Sequence, residues 1–245
     1  ICTCLVGSEM CIRDRRADGN CRACVVEIEG ERVLQPSCVR TPTAGMVVNT
    51  INERVKHSQK MVLELLQSDM AEKSYTLNSE LDQWSQELEV GLPRFPARHN
   101  PEEDLSHPAI AVNLDACIQC TRCVRACREE QNNDVIGYSQ RGAHSMIVFD
   151  IADPMGDSSC VGCGECVQAC PTGALMESNL LDEKGIHKGN HDREVNSLCP
   201  YCGVGCQLTF KIKDEKIVAA TGRNGPANQN RLCVKGRFGF DYIHD

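Results

Sequence analysis

The alternation of apolar and polar residues near the start of the chain predicts a short hairpin. Val26 and Ile28 alternate with glutamates, Gly30 can turn, and residues 32–34 can return as a second strand. Residues 46–48 then form a third strand-like run. Residues 16–50 are therefore expected to carry a short amphipathic hairpin followed by one further strand.

A clearer alternation lies near the other end of the chain. Leu208, Phe210 and Ile212 alternate with polar residues, Asp214 and Glu215 can turn, and residues 216–219 can return. The polar stretch 178–196 that precedes this hairpin shows no periodicity and is interpreted as a connector.

Helical periodicity appears only between residues 51 and 92. Residues 53–67 form one predicted helix, and a second predicted helix follows it. Their stripes are expected to pack between neighbouring modules: Val55, Val62, Leu65 and Leu66 in the first, and Leu77, Leu81, Trp84 and Leu88 in the second. Four of the ten prolines then fall between residues 93 and 108, which predicts an extended linker over 93–112.

Composition narrows the function classes. A net charge of −8 argues against a nucleic-acid binder, and no apolar run is long enough for a membrane span. The 18 cysteines cluster too closely for local disulfide pairing, since three often fall within seven residues. Thiolate–metal ligation in a reducing compartment, the cytoplasm, is therefore expected.

An internal duplication organises the central cysteines. Cys160, Cys163, Cys166 and Cys170 follow Cys117, Cys120, Cys123 and Cys127 at a constant interval of 43 residues, and both runs read C-x2-C-x2-C-x3-C. In two-cluster ferredoxins the fourth cysteine of such a run serves the other cluster. We therefore predict one [4Fe–4S] site at Cys117, Cys120, Cys123 and Cys170, and a second at Cys160, Cys163, Cys166 and Cys127. Structural zinc gives no reason for the third cysteine of each triplet.

The last cysteine set has a different spacing. Cys199, Cys202 and Cys206 form C-x2-C-x3-C, and Cys233 follows after the predicted hairpin, which would return it to the triplet. A zinc ribbon is the alternative interpretation. The sequences CPYCGVGC and RLCVKGR resemble the iron–sulfur segment of molybdenum or tungsten bis-pterin oxidoreductases, and most closely their formate dehydrogenase branch. The resemblance implies a [4Fe–4S] site here, and implies that Lys235 lies between the cluster and a Mo or W bis-MGD cofactor.

The first cysteine set, Cys21, Cys24 and Cys38, resembles the [2Fe–2S] module of NAD-linked formate dehydrogenase alpha subunits. The large iron–sulfur subunit of NADH dehydrogenase and [FeFe] hydrogenases share that module. It implies a fourth ligand separated from Cys21 by about ten intervening residues, whereas Cys11 leaves nine. We interpret residues 1–15 as foreign to the protein, which would leave this site incomplete; a genuine ligand at Cys11 is the alternative.

Two further expectations concern side chains near these sites. Arg122, Arg125 and Arg128 crowd the first central set and could offset its negative charge, or could be solvated helix arginines. The histidines at 57, 99 and 107 are expected at the surface, because no cysteine between residues 49 and 113 could join them in a cluster site.

The expected fold class is α+β, with several iron–sulfur modules in tandem. The predicted boundaries are 1–15 foreign, 16–50 a partial β-grasp [2Fe–2S] module, 51–92 helical, 93–112 linker, 113–177 two-cluster ferredoxin module, 178–196 connector, and 197–245 the start of a β-rich pterin-oxidoreductase domain.

The resemblance implies electron transfer within a formate dehydrogenase that passes electrons toward NAD through flavin-type partner subunits. The substrate-binding residues would lie outside this chain. The alternatives are the large subunit of NADH-quinone oxidoreductase, a [FeFe]-hydrogenase-related subunit, and a stand-alone electron carrier.

Overall fold

The computed structural model describes residues 17–70, 79–98, 102–181 and 187–244. Cys2, Cys4, Cys11, Leu77 and His99 lie outside the described residues, as does the segment 1–15 that we expected to be foreign. Within the described ranges the chain has mixed helices and strands, so the general α+β expectation is confirmed.

The first sheet has three antiparallel strands in the order β2-β1-β3: β1 is Val25–Ile28, β2 is Gln35–Pro36 and β3 is Val48–Asn49. The prediction of a return strand at 32–34 is wrong, because β1 pairs instead with Gln35 and Pro36. Pro36 has no backbone N–H to donate, which keeps β2 short and at the edge of the sheet. The expected third strand is present, but it covers residues 48–49 and not the predicted 46–48.

Two helices connect this sheet to the rest of the molecule: α1 is Glu53–Ser68 and α2 is Glu80–Glu87. Asn52 caps α1 by accepting from the Val55 N–H. Leu63 and Leu81 are buried in one apolar cluster with Cys21 of the first module and Ile118 of the central module, so the expected packing between modules is confirmed. Leu65, expected on the buried stripe, is 47 % exposed, and Leu63 takes that place.

The central module contains two small antiparallel pairs. Strand β4, Ile110–Val112, pairs with β7, Leu175–Glu177, and β5, Ile136–Ser139, pairs with β6, Met146–Phe149. The helix α3, Arg122–Arg125, continues as a π-helical turn, Ala126–Glu130, and α4 is Glu165–Ala169. Residues 110–112, placed in the linker by sequence, are a buried strand of this module because they pair with β7.

The last sheet has the order β10-β9-β8, all antiparallel. Strands β9, Gln207–Lys213, and β10, Lys216–Gly222, confirm the predicted hairpin, and α5, Val234–Phe238, follows them. The connector expected over 178–196 is wrong at its end, since β8, Arg193–Leu198, pairs with β9 along its whole length. This strand is polar and mostly exposed, so it shows no apolar alternation.

Short 3-10 turns complete the described structure, at Ser37–Val39, Leu114–Ala116, Gly142–His144, Met155–Asp157, Ser178–Leu180 and Asp241–Ile243. In the part of the chain that the structure describes, no helix is both long enough and apolar enough to cross a bilayer.

Candidate iron–sulfur centres

The first central thiol set draws a cysteine from the second half of the duplication. Burial, followed by the nearby Cys170 thiol, raises the pKa of Cys117 and of Cys120 to about 12. Cys123 has its pKa raised by burial and then by Cys120, Cys117 and Cys170. The structure therefore groups Cys170 with the first triplet.

The second central set shows the reciprocal arrangement. The pKa of Cys160 is raised by burial and by the Cys127 thiol, and that of Cys163 by burial, by the Glu165 carboxylate, and by Cys160 and Cys127. The pKa of Cys166 is raised well above its usual value by burial and then by Cys163, Cys160 and Cys127. Cys127 thus lies beside the second triplet, as the duplication implies.

The backbone of the two triplet loops repeats with the sequence. Gln119 and Thr121 adopt left-handed φ values of +55° and +59°, and their equivalents 43 residues later, Gly162 and Gly164, adopt +64° and +74°. The N–H of Gln119 donates to Cys117 Sγ over 3.4 Å, and that of Gly162 donates to Cys160 Sγ over 3.3 Å. Such bonds stabilise a charged thiolate, which is the form that ligates metal.

The third set is more exposed. The Cys206 thiol has its pKa raised by partial burial and by Cys199, Cys202 and Cys233, so all four sulfurs are neighbours. The β9–β10 hairpin therefore returns Cys233 to the triplet, as expected. Gly205 takes a φ of +66°, and a Cβ on Gly236 would lie 3.6 Å from Cys199 Sγ, so α5 passes close to the set. Lys235 lies in α5 and is exposed.

In the first module, Cys24 is fully buried and has its pKa raised by a hydrogen bond with Cys38 and by burial. Cys21 is buried in the same apolar cluster that Cys38 packs against. The three expected thiols therefore share one region, whereas Cys11 lies outside the described residues and its role as a ligand stays a prediction.

The arginines divide between partners. Arg122 lowers the pKa of Cys120 by its charge, and its Nη1 lies 3.0 Å from Glu80 of α2. Arg125 is buried and its Nε lies 3.8 Å from Asp18. Arg128 does not join the first set, because it is exposed and pairs with Asp134 over 2.7 Å. The nearby Cys127 thiol contributes to raising the pKa of Arg128. The positive charge of Arg98, a residue that the sequence analysis did not single out, lowers the pKa of Cys117.

The expectation of surface histidines holds for His57 and is wrong for His107. His57 is exposed, but His107 is 9 % exposed and lies against Gly162, where an added Cβ would be 3.6 Å from the ring. Burial lowers the pKa of His107. This contact could not be predicted from the sequence, since it joins residues 55 positions apart.

The donor sets fit iron–sulfur chemistry. Each of the three four-member sets supplies thiols alone, and backbone N–H groups point at sulfurs in both halves of the duplication. Across the described ranges, no three His, Cys, Asp or Glu side chains converge tightly enough to hold a single metal ion, so this fit rests on the kind of donor and not on a closed metal site.

Family comparisons follow the same three-part division. Residues 9–53 match the model described as a 2Fe-2S iron-sulfur cluster binding domain, and residues 107–176 match that of the ferredoxin-like domain of NADH-quinone oxidoreductase subunit 3. Residues 192–245 match the molybdopterin oxidoreductase Fe4S4 domain. The chain is a tandem of iron–sulfur modules. It contains domains of both the [2Fe–2S] and the [4Fe–4S] binding types, and these domains serve electron transfer.

Relatives agree with the resemblance drawn from the cysteine motifs. The chain is 34 % identical to a subunit of an NADH-quinone oxidoreductase from Rhizobium meliloti (strain 1021), over 91 % of this chain and 26 % of that protein. It is 26 % identical to a protein provisionally named formate dehydrogenase from Staphylococcus haemolyticus (strain JCSC1435), over 91 % of this chain and 27 % of that protein. The chain thus spans about a quarter of each relative's length. The resemblance is confirmed.

The fold is similar to that of a solved protein. A chain in the crystal structure of NAD+-reducing [NiFe]-hydrogenase in the H2-reduced state superposes with a TM-score of 0.61 and 24 % identity, over 69 % of this chain and 72 % of that chain. At this identity the likeness concerns the fold alone.

The first family match bears on the expected foreign segment. It begins at residue 9 and so includes Cys11, which weighs against a foreign origin for residues 9–15. The origin of residues 1–15 stays a prediction, as do the other module boundaries drawn from sequence.

Proposed function

We propose that the chain is the electron-transfer segment of a larger oxidoreductase, with one [2Fe–2S] and three [4Fe–4S] clusters in chain order. Cys21, Cys24 and Cys38, with a fourth ligand to be found, would hold the first. The two crossed central sets and the C-terminal set would hold the others. The carrying observation is that each thiol set shares packed residues with the next.

The first junction is apolar at its centre. Cys21 and Cys120 belong to one cluster that is closed by Ile118, Leu63 and Leu81. At its edge, Asn20 Nδ2 donates to Thr121 Oγ1 over 2.7 Å. This contact supports direct electron transfer between the first set and Cys120 of the second.

The second junction is the core of the central module itself. Buried Cys127 and Cys166 pack in one cluster with Ile110, Ile147 and Phe149, and thiols of both central sets border it. Cys166 is also close enough to raise the pKa of Cys123. Dry packing of this kind shortens the route between two clusters and excludes water from it.

The third junction joins the central and last modules. Phe238 of α5 packs against the central core, and Arg237 Nε donates to the Cys163 carbonyl over 3.0 Å. The C-terminal set therefore lies next to the second central set, at the end of the series.

We further propose that the whole protein oxidises formate to CO2, reversibly, and delivers electrons toward NAD through flavin-type partner subunits in the cytoplasm. The molybdopterin-type match over residues 192–245 and the formate dehydrogenase relative support this. A Mo or W bis-MGD cofactor would supply the formate chemistry, and Lys235, exposed beside the C-terminal set, would face it.

A second candidate is the large iron–sulfur subunit of an NADH-quinone oxidoreductase. The more identical of the two relatives is named as a subunit of that enzyme, and the central module matches a domain of the same enzyme. Both candidates use the same series of clusters, so they differ only in the partners at its two ends.

The test is potentiometric titration of the anaerobically assembled full chain, followed by electron paramagnetic resonance. We expect about 14 iron atoms per chain, from one [2Fe–2S] and three [4Fe–4S] clusters, and magnetic coupling between neighbours. A chain that binds zinc instead, or whose clusters are magnetically isolated, would contradict the proposal. In the whole protein, reduction of the clusters by formate would favour the first candidate, and reduction by NADH through a flavin subunit without any reduction by formate would favour the second.

A further inference from the structure

A charged residue of the last module lies completely inside the junction with the central module. Arg237 is 1 % exposed and Glu165, the first residue of α4, is 0 % exposed. Arg237 Nη2 donates to Glu165 Oε1 over 2.9 Å and to Gln168 Oε1 over 2.8 Å. With its Nε on the Cys163 carbonyl, the guanidinium touches the loop and the helix of the second central thiol set.

Other contacts close the same junction from both sides. The Leu232 N–H donates to Glu165 Oε1 over 3.3 Å, and Gln168 Nε2 donates to the Asn230 carbonyl over 2.7 Å. Arg231 Nη2 pairs with Glu130 Oε2 over 2.5 Å. Residues 230–232 and 237 therefore contact one face of the second central site, through Glu130, Glu165 and Gln168.

A buried pair of this kind is a poor source of net stability. Taking both charges out of water offsets most of their attraction, yet removing one partner leaves an unpaired buried charge and is strongly destabilising. Its use lies in geometry, because a planar guanidinium with several fixed donors accepts only one arrangement of its partners. Arg237 binds three separate groups at once, which fixes α5 in both position and rotation.

From these contacts we propose that Arg237 is a positioning residue that fixes the spacing between the second central cluster and the C-terminal cluster. The proposal rests on the proposed function, since it assumes that both thiol sets hold clusters. It assigns Glu165, Gln168 and the Cys163 carbonyl as the fixed receptor for that side chain.

The test uses the full chain and the variants R237Q, R237K and E165Q. The control is R193Q, which removes the exposed Arg193–Glu215 pair of the same module, 2.8 Å long against 2.9 Å for Arg237–Glu165. The first readout is the magnetic coupling between the second central cluster and the C-terminal cluster, which depends steeply on their separation. The second is amide hydrogen exchange of Leu232, which reports the junction whether or not iron is present.

We expect R237Q and E165Q to keep their iron but to lose this coupling, while the coupling across the first junction stays unchanged. Leu232 should exchange at least about 100-fold faster, equivalent to about 2.7 kcal/mol. R237K keeps the positive charge but lacks the fixed, planar donors of a guanidinium. It should therefore retain part of the exchange protection of Leu232 but show no magnetic coupling between the two clusters. R193Q should match the parent chain in both readouts.

Unchanged coupling and unchanged Leu232 exchange in R237Q would overturn the proposal. If R237Q fails to fold, the same comparison in R237K and E165Q decides the question. If the parent chain binds no clusters, the proposed function falls on that result alone. Slow exchange of Leu232 in the iron-free parent, together with unchanged exchange in R237Q, would show separately that Arg237 does not hold the junction.

Discussion

A methyl group placed on Gly164 should separate the last module from the central one. Gly164 immediately precedes α4 with a φ of +74°, and an added Cβ would lie 2.2 Å from Arg237 Cδ, 2.6 Å from its Nε and 3.0 Å from Phe238 Cζ. These atoms belong to buried or half-buried side chains, so they have little room to move away. The change Gly164→Ala therefore forces either the loop or Arg237 out of place.

The size of the effect follows from two contributions. A left-handed non-glycine residue costs about 1–2 kcal/mol. Expelling Arg237 would leave Glu165 buried without its cation, which adds about 3–5 kcal/mol. We expect a total of about 4–7 kcal/mol on the opening of the junction. Gly142→Ala is the matched control, because Gly142 has a φ of +62° with nothing within 4 Å of an added Cβ, so only the backbone contribution applies there.

Amide hydrogen exchange in α5 measures this opening. The Arg237 N–H donates to the Cys233 carbonyl over 3.1 Å and should lose its protection in Gly164→Ala, but not in Gly142→Ala. Adding Arg237→Ala removes the two closest colliding atoms and leaves only Phe238 Cζ at 3.0 Å, so in that background the cost of Gly164→Ala should fall toward about 1–2 kcal/mol. Equal effects of Gly164→Ala in both backgrounds would refute the steric argument.

Four further outcomes are expected. Cys170→Ser should alter the cluster of the first triplet and Cys127→Ser that of the second, as seen by electron paramagnetic resonance; the opposite result would reverse the crossed assignment. Arg94 holds the pKa of Glu64 at about 2, below its usual 4.5, so this pair stabilises the fold above pH 4.5 and loses that contribution as pH falls toward 2. The difference in unfolding free energy between the parent and Glu64→Gln should therefore be constant above pH 4.5 and shrink below it, and a constant difference down to pH 2 would contradict this. Iron analysis of Cys11→Ser should show no loss if residues 1–15 are foreign, whereas a loss of about two irons would identify a [2Fe–2S] ligand. The isolated chain should reduce no dye with formate while showing iron–sulfur absorption, and formate-dependent reduction would contradict the assignment of substrate chemistry to other parts of the protein.

The sequence was most informative where chemistry demands fixed spacing. The 43-residue repeat predicted that Cys127 and Cys170 exchange places, because three cysteines in a tight loop leave the fourth pointing away. The hairpin of β9 and β10 was equally predictable, since apolar residues alternate with polar ones along β9 and Leu208 is fully buried. Strand β8 was missed because a mostly exposed strand needs no apolar residues; its pairing with β9 alone defines it.

The contacts between modules could not be predicted from the sequence. Arg237 and Glu165 are 72 residues apart, and charged residues are normally assigned to the surface, yet both are buried. His107 and Arg98 were misplaced or overlooked for the same reason, because their positions depend on how separate segments fold together.

The duplication within the central module also gives the assembly a direction. At the equivalent helix starts, Thr121 and Arg122 meet Asn20 and Glu80 on the side of the first module, whereas Gly164 and Glu165 meet Arg237 on the other side. The two equivalent contact sites thus carry opposite charge, Arg122 in one and Glu165 in the other, and the second leaves no room for a Cβ on Gly164. Arg237 would not fit the first of these contact sites, since there it would meet the positive charge of Arg122 and the side chain of Thr121. The duplicated module therefore has two different ends, because equivalent positions carry a cation toward one neighbour and an anion toward the other.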